Sequence, residues 1–229
     1  MKKIETGMAL RDIAFKEIKK SILNYELLPG QAIYERELSE KLGISRTPIR
    51  ESLSLLEREK WIVSKPRVGT FIKEITEEDV IEVMEIRMIF DRFALEKICG
   101  TITLEQINTL EEYVKEQENN RTDQQKFIEL DKEFHAQIVS LTKNEQIEKW
   151  FEEIGDKIRW FGLKAITEKS RIEETITEHK EIIKALKSQD INQLLLASNS
   201  HVENTKKEVI NQLRSNSNEE NNQFTPYQW

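Results

Sequence analysis

The chain has 229 residues, 38% of them hydrophobic and 34% charged, and a net charge of −7, which allows one or two domains with ordinary cores. No apolar run approaches the roughly 20 residues of a membrane span, Met1-Lys2-Lys3 leads into no signal-like segment, and the single cysteine, Cys99, excludes an internal disulfide or a cysteine-rich zinc motif. A cytoplasmic protein with Cys99 as a small core residue is expected. The charge is unevenly shared: residues 1–76 hold 15 Lys+Arg against 11 Asp+Glu, a balance of +4, and the remainder 20 against 31, a balance of −11. A cationic head can bind a phosphate backbone while an acidic body is repelled from it.

Met8 to Tyr25 reads as a helix with Leu10, Ala14, Ile18 and Ile22 on one stripe, ending before Leu28-Pro29-Gly30. Glu35 to Leu42 is a short second helix, and Gly43 can take the left-handed backbone that ends it. Ser45 caps a third helix, with Pro48 in its first turn, where the missing N–H has no intrahelical acceptor to lose. Ile49, Leu53 and Leu56 then form a stripe that can face the helix before, leaving Arg46, Thr47 and Arg50 on the other side. After Trp61 a hairpin is predicted: Ile62 and Val63 lead in, Pro66, Arg67, Val68 and Gly69 turn, and Phe71 and Ile72 lead out. The pattern is a helix-turn-helix with a wing. The leading end of its third helix presents amides, hydroxyls and two guanidinium groups suited to phosphates and the guanine edge in a major groove.

Pro29-Gly30, the run ERELSEKLGISRTPIRESL and the Val68-Gly69-Thr70 wing resemble the DNA-binding domain of GntR-family bacterial transcription regulators. The resemblance covers the first third of the chain and implies DNA contacts from Arg36, Arg46, Arg50 and the wing residues Arg67 and Gly69, supported by Ser45 and Thr47. Lys60 departs from the family pattern, standing where a glycine usually precedes the wing.

Thr76 and Asp79 form a capping-box pattern directly after the wing, so a domain boundary falls near residue 76 with no Gly/Ser linker. No proline interrupts residues 77–213, where six helices are expected over 77–99, 103–119, 123–141, 145–168, 171–188 and 190–213. Their predicted caps are Thr76, Thr103, Thr122, Asn144, Ser170 and Asp190. The fold class is therefore mainly α: an N-terminal winged helix-turn-helix with a small β-hairpin wing (1–76), then an all-α six- or seven-helix bundle (77–213). The polar run 214–229 is expected to be a flexible tail.

All three histidines lie in the bundle. Asp131 and His135 leave one helix face one turn apart and can share a cation. His179 lies about 15 Å before, and His201 about 18 Å after, a turn near residues 188–190, so antiparallel packing brings them to similar height. One carboxylate and three imidazoles can then close around an ion with room for a further oxygen. The competing reading is of surface or hydrogen-bonded histidines and a simple Asp–His pair. Arg87 is a candidate for gripping a carboxylate bidentately, against simple pairing with Glu82 or Asp91. Trp160 and Phe161 fill the core or line a pocket.

After such a head, a helical domain with Asp131-x-x-x-His135, then His179, then His201 a further 22 residues on resembles the ligand-binding domain of the FadR subfamily. That resemblance implies a zinc or nickel ion on Asp131, His135, His179 and His201, a small organic acid completing the site, and an effector role for Arg87. The function expected is a homodimeric transcription regulator, without enzyme activity, that reads a palindromic operator on double-stranded DNA. The alternatives are a metal-dependent hydrolase, for which no general base is evident near the ligands, and an architectural DNA-binding protein without effector.

Overall fold

The computed structural model describes residues 9–166 and 169–223. The chain divides into two compact units between Ile75 and Thr76.

In the N-terminal unit, α1 (Leu10–Leu23) buries Ala14, Ile18 and Ile22, while Leu10, at the head of the predicted stripe, stays 53% exposed. Residues at i, i+4 and i+8 drift slowly around a helix, so the stripe leaves the core at its end. Helix α2 (Glu35–Leu42) ends at Gly43, whose φ of 66° is left-handed. Helix α3 (Arg46–Arg58) buries Ile49, Leu53 and Leu56 against α1 and α2. Ser45 stands at its N-cap with extended backbone, but its hydroxyl makes no capping bond; the capping role expected of that side chain is not met.

Lys60 takes the left-handed φ of 61° that a glycine would adopt freely. Around it Trp61 N–H donates to Leu56 O at 2.9 Å and Lys60 N–H to Glu57 O at 2.9 Å, the paired bonds of a Schellman ending. The departure from glycine therefore leaves the turn intact at the cost of backbone strain. Trp61 is buried just behind it. The wing is β2 (Ile62–Lys65) antiparallel to β3 (Gly69–Ile72), with Ile62 opposite Ile72 and Lys65 opposite Gly69. A third strand unforeseen in the sequence, β1 (Ala32–Ile33), pairs with the other edge of β3.

The second unit contains, among the described residues, six helices: α4 (Glu77–Ile98), α5 (Leu104–Asn119), α6 (Gln124–Ser140), α7 (Glu145–Ala165), α8 (Lys169–Ser188) and α9 (Ile191–Gln223). Thr76 with Asp79 and Thr103 with Gln106 close reciprocal capping boxes, each worth about 1 kcal/mol to its helix. Asp123, not Thr122, caps α6; its carboxylate accepts from Lys126 N–H at 3.0 Å. Ser170 lies inside α8, which starts at Lys169. Asp190 accepts from Asn192 and Gln193 N–H at 3.0 and 3.1 Å.

The core runs through all six helices, with Leu110, Phe127, Phe134, Ile176, Leu186 and Leu194 among its buried members. Trp160 and Phe161 are buried too. Cys99 follows the last residue of α4 and is half-buried against this core. Helix α9 continues beyond the expected end at 213 as far as Gln223. Neither proline nor glycine occurs before Pro226 to stop it, so residues 214–223 are helical, and only 224–229 of the expected tail lie outside the described residues.

Candidate metal centre and nucleic-acid interface

Helix α6 supplies Asp131 and His135, α8 supplies His179 and α9 supplies His201, and all four side chains are buried. One potential ligand atom from each lies within 4.8 Å of the others. His179 Nε2 is 3.3 Å and His201 Nε2 3.9 Å from Asp131 Oδ1, and His135 Nε2 is 3.2 Å from His201 Nε2. The four residues singled out from spacing therefore meet at one point. Aromatic packing fixes the ring planes: His135 stacks on His201 at 5.0 Å, and Phe134 on His179 at 4.2 Å.

Behind the rings stand groups that the sequence did not reveal. His201 Nδ1 is 2.7 Å from Glu178 Oε2, His179 Nδ1 is 2.8 Å from Gln117 Oε1, and His135 Nδ1 is 3.5 Å from Asp91 Oδ2. Glu178 is held by Arg171 through two bonds of 2.8 Å and by Asn204 at 2.8 Å. Arg171 also donates to Thr205 Oγ1 at 2.9 Å.

Arg87 is 1% exposed. Its Nη2 lies 3.0 Å from His201 Nε2, its Nε donates to Asp91 Oδ2 at 3.4 Å, and its Nη1 is buried without a partner. A small cavity beside the cluster is lined by Arg87, Asp131, Gly162, Arg171, Thr175 and Thr205 together with apolar side chains. Arg87 thus faces the interior and pairs with Asp91, one of the two partners named for it by the simple-pairing reading.

Burial governs the charges. It pushes His201 down to about 3, despite the Glu178 hydrogen bond that favours the protonated ring, and lowers His179 despite Asp131. Burial alone would raise Asp131, but the His179 contact and the Arg87 guanidinium bring it well below the ordinary carboxylate range. Asp91 is likewise lowered, burial being outweighed by His135 and Arg87. The result is neutral rings at His179 and His201 beside an ionised Asp131, the protonation state a cation requires. A donor set of three nitrogens and one oxygen fits a borderline divalent ion. The fit is supported by His179 Nε2, which is buried and makes no hydrogen bond despite its proximity to Asp131.

In the N-terminal unit, Ser45, Arg46, Thr47 and Arg50 are exposed at the start of α3, and Arg36 is exposed on α2. Arg67 sits in the wing turn with φ 63°, and Gly69 follows at φ 147°. Two of the arginines are already engaged: Arg50 grips Glu35 bidentately at 2.9 and 2.8 Å, and Arg36 meets Glu40 at 2.8 Å.

A winged helix-turn-helix with exposed hydroxyls and guanidinium groups at the head of α3, followed by an all-helical domain, is the architecture of a DNA-binding transcription regulator. Residues 10–72 match the model of bacterial regulatory proteins of the gntR family, and residues 82–204 match the FCD domain. The chain belongs to the GntR family of transcription regulators and carries a C-terminal FCD domain. It is 30% identical over 179 residues to the uncharacterized HTH-type transcriptional regulator YdhC of Bacillus subtilis, covering 77% of this chain and 80% of that one. Among solved structures it resembles E. coli McbR/YncC with a TM-score of 0.74 at 18% identity, over 90% of this chain and all of the other (100%). The metal-free FCD domain of TM0439, a putative transcriptional regulator, matches with a TM-score of 0.51 at 21% identity, over 62% of this chain and 98% of that domain.

Proposed function

We propose that the FCD domain holds a divalent cation, zinc or nickel, on Asp131, His135, His179 and His201, and that a small organic acid bound beside it controls how a homodimer grips a palindromic operator. The carrying observation is the convergence of four buried donor atoms within 4.8 Å, in a fold whose TM0439 counterpart is described as a metal-free FCD domain. When bound, such a cation supplies Lewis-acid attraction for a carboxylate oxygen. Arg87 offers that carboxylate its unpartnered Nη1, a charge-assisted bond in a dry site.

Arg36, Ser45, Arg46, Thr47, Arg50, Arg67 and Gly69 form the DNA-contacting set, with Arg46 and Arg50 reading base edges and the wing holding the backbone. The chain divides functionally into a DNA-binding domain over 1–76 and a sensing and dimerising domain from 77 onward. Dimerisation is supported by a row on α4, Ile86, Ile89 and Phe93, exposed by 40%, 67% and 39%. Spaced i, i+3, i+7, they share a helix face that a second copy can cover.

The test is elemental analysis of the purified protein with a thermal-shift screen of small carboxylates. Stoichiometric zinc or nickel in the wild type, lost in His179→Ala and His201→Ala, is expected, together with operator affinity that changes with an acid only when metal is present. Metal content that stays stoichiometric in both variants would refute the ligand set.

A further inference from the structure

The three imidazoles do more than converge. Each turns Nε2 inward and Nδ1 outward, and each Nδ1 meets an oxygen supplied by a residue that is not a ligand: Asp91 on α4, Gln117 on α5 and Glu178 on α8. A carboxylate oxygen can only accept, so Glu178, 2.7 Å from His201 Nδ1, favours a proton there, as does the Arg87 Nη2 donor 3.0 Å from the inner Nε2; His135 differs, its Nδ1 being 3.5 Å from Asp91 and its Nε2 3.2 Å from His201 Nε2. Glu178 cannot swing away, because Arg171 and Asn204 occupy its other lone pairs.

Gln117 is the undecided case. A side-chain amide has a donor end and an acceptor end, and turned end for end it would offer Nε2 to His179 and move the ring proton to the inner nitrogen. The geometry argues against that turn. His179 Nε2 stands 3.3 Å from Asp131 Oδ1 but makes no hydrogen bond, so a proton there would be buried and unsatisfied. On Nδ1 the proton has Gln117 Oε1 at 2.8 Å. The stacked Phe134 ring keeps the imidazole from rotating to improve the inner contact.

We infer that Gln117 and Glu178 are positioning residues that fix His179 and His201 in the Nδ1–H tautomer, and that Gln117, from a helix contributing no ligand, sets the one imidazole whose partner is not a carboxylate. The inner Nε2 atoms of His179 and His201 are then unprotonated, that of His201 facing Arg87 Nη2 at 3.0 Å, and outer partners of this kind typically change metal affinity 10–100-fold. The part concerning affinity rests on the proposed cation site; the tautomers do not.

The experiment uses the full chain labelled with 15N-histidine and stripped by chelator, read near pH 7.5 by long-range 1H–15N correlation. Only three ring systems appear, each assigned by a single His→Gln variant. Nδ1–H patterns are expected for His179 and His201. Gln117→Met should shift only the His179 pattern and weaken Zn2+ binding at least 10-fold against a competing chelator, whereas Gln117→Glu, which keeps an acceptor, stays within a few-fold of wild type. An Nε2–H pattern for His179 in the wild type overturns the inference, as does unchanged Zn2+ affinity in Gln117→Met. Should Gln117→Met fail to fold, the wild-type tautomers and Gln117→Glu decide. If the wild type takes up no Zn2+ at all, the cation site falls while the tautomers still decide this inference.

Discussion

Gly162→Ala should leave the helical domain less stable, although alanine is the better helix former by about 1 kcal/mol. Gly162 lies on α7 facing α6, and a Cβ built there stands 2.5 Å from Ile128 Cδ1 and 2.9 Å from its Cγ1. Ile128 is itself buried, 4% exposed, so its side chain cannot swing into solvent. Overpacking of this kind costs about 1–3 kcal/mol, which after the helix gain leaves a net loss of up to about 2 kcal/mol. Ile128→Val removes the nearer atom and by itself costs about 0.5–1.5 kcal/mol. In that background Gly162→Ala should be better tolerated, giving a favourable coupling of about 1 kcal/mol in the double-mutant cycle. Urea unfolding followed by helix circular dichroism and by tryptophan fluorescence measures all four species. Both residues line the cavity beside Arg87 and Asp131, so the same variants report on how tightly that wall is packed. The reasoning fails if Gly162→Ala raises the midpoint by the full propensity gain with no coupling to residue 128.

Metal-free protein should lose stability on acidification from about pH 6.5. Burial depresses His201 to about 3 and lowers His179 below the ordinary imidazole value of 6.5, so the unfolded chain binds protons that the native rings refuse. That contribution is complete above the unfolded value and drains away toward the folded one, at about 1.4 kcal/mol per pH unit for each ring. The depressed carboxylates of Asp91, Asp131 and Glu178 add the same trend below about pH 4. Stability that stays flat between pH 6.5 and 4.5 in chelator contradicts this. Arg46→Ala and Arg50→Ala should each cost about 1–3 kcal/mol of operator binding while leaving the fold intact; unchanged footprints would disprove the docking. Lys60→Gly should stabilise the N-terminal unit by up to about 1 kcal/mol by removing left-handed strain, checked by the thermal midpoint of the full chain.

Long-period signals were legible in the sequence, and short or lateral ones were not. The stripe Ile49–Leu53–Leu56, the stop at Gly43 and the start at Thr76 each have a local cause, and the structure places them accordingly. Asp131 and His135 share a face by helix geometry alone, and His179 and His201 meet them because one turn separates their helices. The outer partners have no such signature. Gln117 is an ordinary polar residue in a polar helix until α5 packs on α8. Glu178 neighbours His179 in sequence yet serves His201 on another helix. Strand β1, two residues long, offers no alternation to detect. The polar composition of 214–223 suggested an irregular tail, but without a helix-breaking residue it continues α9. In the DNA-reading unit, Glu35 was read only as the start of α2, and its grip on Arg50 emerged only in three dimensions.

Helix α9 has 33 residues and therefore a length of about 50 Å. His201 sits near its first third, and Arg214, about 20 Å further along the axis, clasps Glu77 at the first residue of α4 with bonds of 2.7 and 2.6 Å. Moved as a rigid rod about its packing against the imidazoles, the helix would act as a lever. A tilt of about 3° about His201 sweeps Arg214 through roughly 1 Å, enough to strain or reseat its clasp on the root of α4.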